Sequence, residues 1–130
     1  SNGIITRIGP GLLAQTVGEG DTELAGWTLV YAHLRTDTFM LRVGQHVQAG
    51  ERLGHPSCDG ELEATGTHLH LARKYNGEWI PADGPLPFLL SGWEATSEHR
   101  AYQGKLVERS SGRVITACAC EKNNQISRPH

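Results

Sequence analysis

The chain is predicted to be mostly β, an antiparallel β-sandwich or half-barrel, from three observations. Glycine is frequent, with 16 in 130 residues, and helix-like windows are few. Segments of alternating apolar and polar residues recur between turn signals. One pair of such segments is joined by Asn76-Gly77, the strongest short hairpin signal. A chain of 130 residues suffices for one compact domain with a core.

The predicted strands begin at the amino-terminal end of the chain. Residues 3–8 and 11–17 are predicted to form two strands around a Gly-Pro turn. Residues 26–34 show the clearest alternation, which predicts a strand with one face made of Trp27, Leu29, Tyr31 and His33.

Short strands and tight turns are expected in the middle of the chain. Residues 43–54 read VGQHVQAGERLG, in which glycines punctuate single apolar residues, as in a barrel-like sandwich. Residues 55–65 are predicted to be a loop. Residues 67–75 and 78–80 are predicted to form the hairpin on Asn76-Gly77.

Three prolines lie between residues 81 and 87, and the character of the sequence changes beyond them, which predicts a boundary in this segment. Residues 1–84 are expected to be the core domain, and residues 85–130 a carboxy-terminal extension packed on it. Within the extension, residues 101–109 and 113–120 are predicted to form one appended hairpin.

Charge and hydropathy exclude two classes of partner. The formal net charge is −2, from 12 basic and 14 acidic residues spread along the chain, so the basic stripe of a nucleic-acid-binding protein is missing. No apolar run approaches the roughly 18–20 residues that span a membrane.

The three cysteines leave the redox state open. We expect a disulfide from Cys58 to either Cys118 or Cys120, which would tie the tail to the core, and the alternative is three reduced thiols. A disulfide would favour a location outside the cytoplasm.

Two histidines one residue apart, His68 and His70, are the main chemical signal. On a strand they would point to the same face, roughly 6–7 Å apart. They could share a metal ion, or one could bind it while the other acts beside it, and the alternative is a polar strand face in contact with water.

Three motifs in this order strengthen the first interpretation. They are Tyr31-Ala32-His33-Leu34, then V-G-x-x-V-x-x-G-x-x-L-G from Val43 to Gly54, then Gly66-Thr67-His68-Leu69-His70. This ordered set resembles the lysostaphin-type (LytM-like) zinc metalloendopeptidases over roughly residues 3–84. The resemblance implies a β-sandwich of the duplicated hybrid motif type. It also implies an extracellular or cell-envelope enzyme that cleaves peptide cross-links of bacterial peptidoglycan.

The resemblance also assigns roles to individual histidines. By position in the motifs, His70 is a zinc ligand, and His68 and His33 are the catalytic histidines beside the reacting water. Zinc lowers the pKa of a bound water to about 7, and an imidazole can then accept a proton or stabilise an oxyanion.

One part of the family pattern is missing from this chain. The other two zinc ligands of the family come from an upstream H-x-x-x-D motif, and no histidine precedes His33. We therefore expect that an upstream part of the domain is missing, and that this chain alone binds zinc poorly. The alternative is a non-catalytic relative that acts as a binding, regulatory or structural subunit, with a possible protein partner on the extension. A biotinyl or lipoyl carrier domain is disfavoured, because no lysine lies in a suitable hairpin turn.

Overall fold

A computed structural model describes residues 1–35, 40–59, 67–98, 100, 103–117 and 126. The described residues contain strands and no helix, and every strand pair is antiparallel, which confirms the predicted fold class. Among these residues there is thus no helix with the length and apolarity to cross a membrane. The strands in chain order are β1 (Gly3–Gly9), β2 (Leu12–Val17), β3 (Trp27–Ala32), β4 (Leu34–Arg35), β5 (His46–Val47), β6 (His55–Pro56), β7 (His70–Tyr75), β8 (Glu78–Trp79), β9 (Leu89–Leu90), β10 (Trp93–Ser97), β11 (Gly104–Glu108) and β12 (Val114–Thr116).

The chain divides into two compact units, Ser1–Ile80 and Pro81–His130. The division falls between Ile80 and Pro81, at the start of the proline-rich segment, whereas the sequence suggested residue 84. The packing of the extension on the core stays a prediction.

The first unit is built on a six-stranded sheet in the order β5-β1-β2-β3-β7-β8. Its central strands are hairpin neighbours in sequence, except that β7 returns from a distant segment to pair with β3 along its whole length, from Trp27↔Tyr75 to Ala32↔His70. This pairing brings the His-x-His segment beside the end of the strand that leads to His33.

One face of this sheet, which we call the core face, carries the hydrophobic core of the first unit. Ile5 and Leu13 have no exposed surface, and they pack with Leu34 of β4 and Val47 of β5. Tyr31, which pairs with Leu13 across β2 and β3, is partly buried against the same cluster. Tyr31, on one face of the strand predicted at 26–34, therefore lies toward the core.

The opposite face, which we call the site face, follows from the same pairing. On β7 it carries His70, Ala72 and Lys74, since alternate residues of a strand share a face. Their partners on β3 include Val30 and Thr28, both buried. A β-bulge in β1 shifts the register between Ile5 and Arg7.

The glycine-punctuated segment, residues 43–54, forms only one short strand, β5. Gly44 and Gly50 have φ of +87° and +89°, a conformation that side chains disfavour, so glycine is needed at both turns. Between them β5 pairs with β1. Beyond them β6, inside the segment predicted to be a loop, pairs with β4 as a second, two-stranded sheet.

The second unit is a four-stranded antiparallel sheet in the order β12-β11-β10-β9. The predicted appended hairpin corresponds to β11 and β12, and residues 101–102 and 118–120 of that prediction lie outside the described residues. The sequence analysis missed β9 and β10. Trp93 of β10 has no exposed surface, and the guanidinium of Arg113 lies 4.8 Å from its ring centroid.

Candidate functional site

The strand at 27–32 ends at a backbone bend that sets the position of His33. His33 has φ of +57°, in the left-handed region that residues other than glycine rarely adopt. Its carbonyl oxygen accepts hydrogen bonds from the backbone N–H of Ser57 at 2.7 Å and from the Ser57 hydroxyl at 3.0 Å. These two bonds hold the bend in place, and the His33 side chain is 2% exposed.

The imidazole of His33 is oriented by the segment that follows β6. Its Nδ1 lies 3.0 Å from the carbonyl oxygen of Asp59. A carbonyl oxygen only accepts, so Nδ1 carries the proton and Nε2 of the neutral ring is left as an acceptor. The position of Asp59 is in turn fixed by a bond from its N–H to the Ser57 hydroxyl at 3.0 Å and an ion pair with Arg35 at 3.1 Å.

His68 and His70 meet His33 from the neighbouring strand. His68 forms an isolated β-bridge with Ser57, and its ring centroid lies 4.5 Å from that of His33. His70 is the first residue of β7, and its ring centroid lies 6.5 Å from that of His33. The structure thus brings all three histidines predicted from the sequence into one group, which we call the histidine cluster (His33, His68 and His70).

The cluster combines one buried ring with two exposed ones. His68 and His70 are exposed, whereas His33 is enclosed. Partial desolvation of the His70 ring lowers its pKa below the usual 6.5, and the neighbouring His33 and His68 lower it further. His70 is therefore neutral at pH 7, which is the form of imidazole that binds a metal ion.

The described residues do not by themselves fit a catalytic zinc site. A catalytic zinc takes three protein ligands, and no group of three or more His, Cys, Asp or Glu side chains in the described part of the chain is arranged to hold a metal ion. The Nδ1 of His33 is committed to the Asp59 carbonyl. His70 is the ligand that the resemblance assigns, and the two upstream ligands have no counterpart among these residues.

Two residues of the site were not found from the sequence. Ser57 and Asp59 lie in the segment 55–65, which the sequence predicts to be a loop. In the structure they act on the backbone and ring of His33, through long-range contacts that leave no local sequence signal. The hydroxyl of Tyr31, which the sequence predicts on the same strand face as His33, donates to Oε1 of Gln15 at 3.2 Å.

The cysteine prediction stays open. Cys58 is exposed and forms no disulfide with another described residue, and its sulfur lies 4.0 Å from the hydroxyl of Thr67. Cys118 and Cys120 lie outside the described residues. The pairing of Cys58 with either of them therefore stays a prediction.

Comparison with known proteins adds no relative. No protein-family model matches the chain. No curated protein matches it, and no solved structure matches it.

Proposed function

We propose that this chain carries the histidine cluster of a zinc metalloendopeptidase that cleaves the peptide cross-links of bacterial peptidoglycan, outside the cell or in the cell envelope. The observation that carries the proposal is the convergence of His33, His68 and His70. These residues belong to two separate motifs of the sequence, and in the folded chain the ring centroids of His68 and His70 lie 4.5 and 6.5 Å from that of His33.

Within this proposal the two catalytic histidines, His68 and His33, have different roles. His68 is exposed, so it can reach a substrate and donate a proton or a hydrogen bond to an oxygen that becomes negative as the peptide bond is attacked. His33 is enclosed and its Nδ1 is occupied, so its Nε2 is the atom available to accept a proton. His70 is the proposed zinc ligand, and the further ligands would come from outside the described residues.

Digestion of purified peptidoglycan by the full protein tests these assignments. We expect His68→Ala to reduce the release of soluble peptide fragments by about 100-fold or more, in line with the loss of a general acid or base. We expect His70→Ala to abolish release and also to lower the zinc content measured by elemental analysis, which His68→Ala should leave unchanged.

His46→Ala is the matched control, because His46 is exposed and lies on β5, paired with Ile4 and outside the histidine cluster. It should digest peptidoglycan at the rate of the wild type. Zinc content near zero together with full digestion by the His70→Ala variant would refute the proposal.

A second candidate function is favoured by one observation. Because no three-ligand metal group lies in the described part of the chain, the same fold could serve as a non-catalytic binding or regulatory subunit. Such a subunit would sediment with intact peptidoglycan, or with a protein partner held by the extension, and release no fragments. Zinc-free protein that binds the polymer without digesting it would favour this candidate over the enzyme.

A further inference from the structure

A charged cleft lies on the first unit, apart from the histidine cluster. Its volume is about 530 Å³, within the usual range for sites that hold small ligands. It is lined by residues of β1, of the loop between β2 and β3, and of the β7–β8 hairpin, namely Thr6, Arg7, Asp21, Thr22, Glu23, Leu24, Lys74 and Gly77.

The backbone explains why these residues meet. The β-bulge in β1 lies at Thr6 and Arg7, and a bulge sets two consecutive residues against one partner. The loop between β2 and β3 is fixed at its far end by Asn76, whose side-chain oxygen accepts from the N–H of Gly26 at 2.8 Å. Asn76 also donates its own N–H to the Gly26 carbonyl at 3.0 Å. The cleft is therefore formed by the loop and the sheet together.

The charges in the cleft are unevenly matched. Arg7 binds the carboxylate of Glu23 through two nitrogens, at 3.0 and 2.9 Å, and Lys74 lies 3.7 Å from the same carboxylate. One carboxylate thus faces two cations, so Glu23 alone does not neutralise both of them. Lys74 is 17% exposed, and its ammonium lies 4.5 Å from the ring centroid of Trp79. Both features restrict the positions that the ammonium group can take.

The opposite charge is present in the same cleft. Asp21 is exposed and makes no ion pair among the described residues. A ligand that carries a carboxylate for Arg7 and Lys74 and an ammonium for Asp21 would satisfy both groups at once. Ionised partners make the stronger hydrogen bonds in proteins, so this complementarity selects such a ligand over a neutral one.

We propose that this cleft binds the ammonium and carboxylate of a free amino-acid group carried by a peptide. The proposal rests on the proposed function for the peptide character of the ligand. The charged groups that recognise it, Arg7, Lys74 and Asp21, are separate from the histidine cluster.

The position of the cleft relates it to the bond that would be cut. Lys74 and His70 share the site face of β7, four residues apart, which corresponds to about 13 Å along a strand. A residue of extended peptide spans about 3.3–3.6 Å. A substrate held in the cleft by its amino-acid group would therefore present to the histidines a bond three or four residues away.

Calorimetric titration of the full protein with meso-diaminopimelate tests the cleft directly. This probe has an amino-acid group at each end, whereas pimelate has the carboxylates alone and cadaverine the ammonium groups alone. We expect the first to bind at about millimolar concentration and the other two to bind at least tenfold more weakly, because each leaves one half of the cleft unpaired.

Two variants locate the binding. Lys74→Met and Asp21→Asn should each weaken binding of meso-diaminopimelate by roughly tenfold, since each removes one ionised partner. Asp21→Asn is the safer of the two for folding, because Asp21 is exposed. The matched controls are Glu19→Gln in the same loop and Arg42→Gln, both at exposed positions outside the cleft, and they should bind as the wild type does.

The outcomes separate this proposal from the proposed function. Equal binding of pimelate or cadaverine, no binding of any probe, or binding that neither variant weakens would overturn the proposal. The His70→Ala variant should bind meso-diaminopimelate normally, since His70 does not line the cleft. If the wild-type protein binds meso-diaminopimelate as expected but does not digest peptidoglycan, the cleft proposal stands and only the peptidase proposal is refuted.

Discussion

His33 has a backbone conformation that is unfavourable for residues other than glycine. A residue other than glycine in the left-handed region costs of order 1 kcal/mol, and it persists only where the surroundings fix it. Here Ser57 donates twice to the His33 carbonyl, and the Asp59 carbonyl accepts from the ring. Conformational cost of this kind is concentrated at functional sites, which supports the assignment of His33 to a site rather than to the core alone.

At position 54, glycine is required because a side chain would not fit, and not because of the backbone conformation. An added Cβ would lie 2.5 Å from the Arg35 carbonyl oxygen and 2.8 Å from Cγ of Leu34. We expect Gly54→Ala to lower the free energy of unfolding by about 1–3 kcal/mol, because β4 would have to move. The measurement is the urea unfolding midpoint followed by tryptophan fluorescence.

Gly9→Ala is the control for this substitution. Nothing lies within 4 Å of the Cβ that it would add. The substitution should leave the stability unchanged or raise it by up to about 1 kcal/mol, since alanine restricts the unfolded chain. Equal losses in both variants would show that the space at Gly54 does not matter.

Because of Tyr31, the free energy of unfolding should depend on pH in the alkaline range. Burial raises the pKa of its hydroxyl above the usual 10, because the tyrosinate would lose its hydration. A raised pKa in the folded state adds stability that is complete below pH 10 and is lost as the pH rises through the folded value. We expect Tyr31→Phe to remove this part of the decline, measured as unfolding midpoints between about pH 9 and 11. A decline equally steep in the variant would contradict the assignment.

At the scale of elements, the β7–β8 hairpin follows most directly from the sequence. Asn76 and Gly77 have φ of +49° and +83°, as a two-residue turn of type I′ requires. Asn76 adds two hydrogen bonds with Gly26, at the loop that leads into β3. One residue thereby fixes a hairpin turn and one wall of the charged cleft.

We expect Asn76→Ala to lower the free energy of unfolding by about 1–2 kcal/mol, because alanine disfavours positive φ and loses the side-chain bond to Gly26. Asn76→Gly keeps the conformation and loses only that bond, so its loss should be smaller. Urea unfolding of both variants gives the comparison. A larger loss for glycine than for alanine would mean that the turn conformation contributes little.

Some of the strands could be predicted from the sequence, and others could not. The strands at 3–9, 12–17 and 27–32 were predicted within two residues, because their alternation is local. The predicted strand to residue 34 is interrupted at His33, since the bend there is held by Ser57, which is distant in sequence. For the same reason β6 was predicted as loop, because its two residues are ordered only by pairing with β4.

At the scale of the whole molecule, the candidate site was predictable as a set of residues and not as a geometry. The motifs named His33, His68 and His70, because imidazoles in that order are a rare combination. Their meeting depends on β7 pairing with β3 rather than with a sequence neighbour, which no local pattern specifies. The charged cleft was not predicted from the sequence, since its charged residues come from three segments that only the folded chain brings together.

The core of the first unit should decide its stability far more than its exposed apolar residues do. Leu13 has no exposed surface and packs with Ile5, Leu34 and Val47, whereas Leu24 is 75% exposed. We expect Leu13→Ala to lower the free energy of unfolding by about 2–5 kcal/mol, through lost burial and the cavity that remains. Leu24→Ala, the same substitution at an exposed position, should change it by no more than about 0.5 kcal/mol. Urea unfolding of the two variants measures the difference.

Because Leu34 follows His33 directly, a Leu13→Ala loss as small as that of Leu24→Ala would mean that this core does not support the strand end on which the histidine cluster is built.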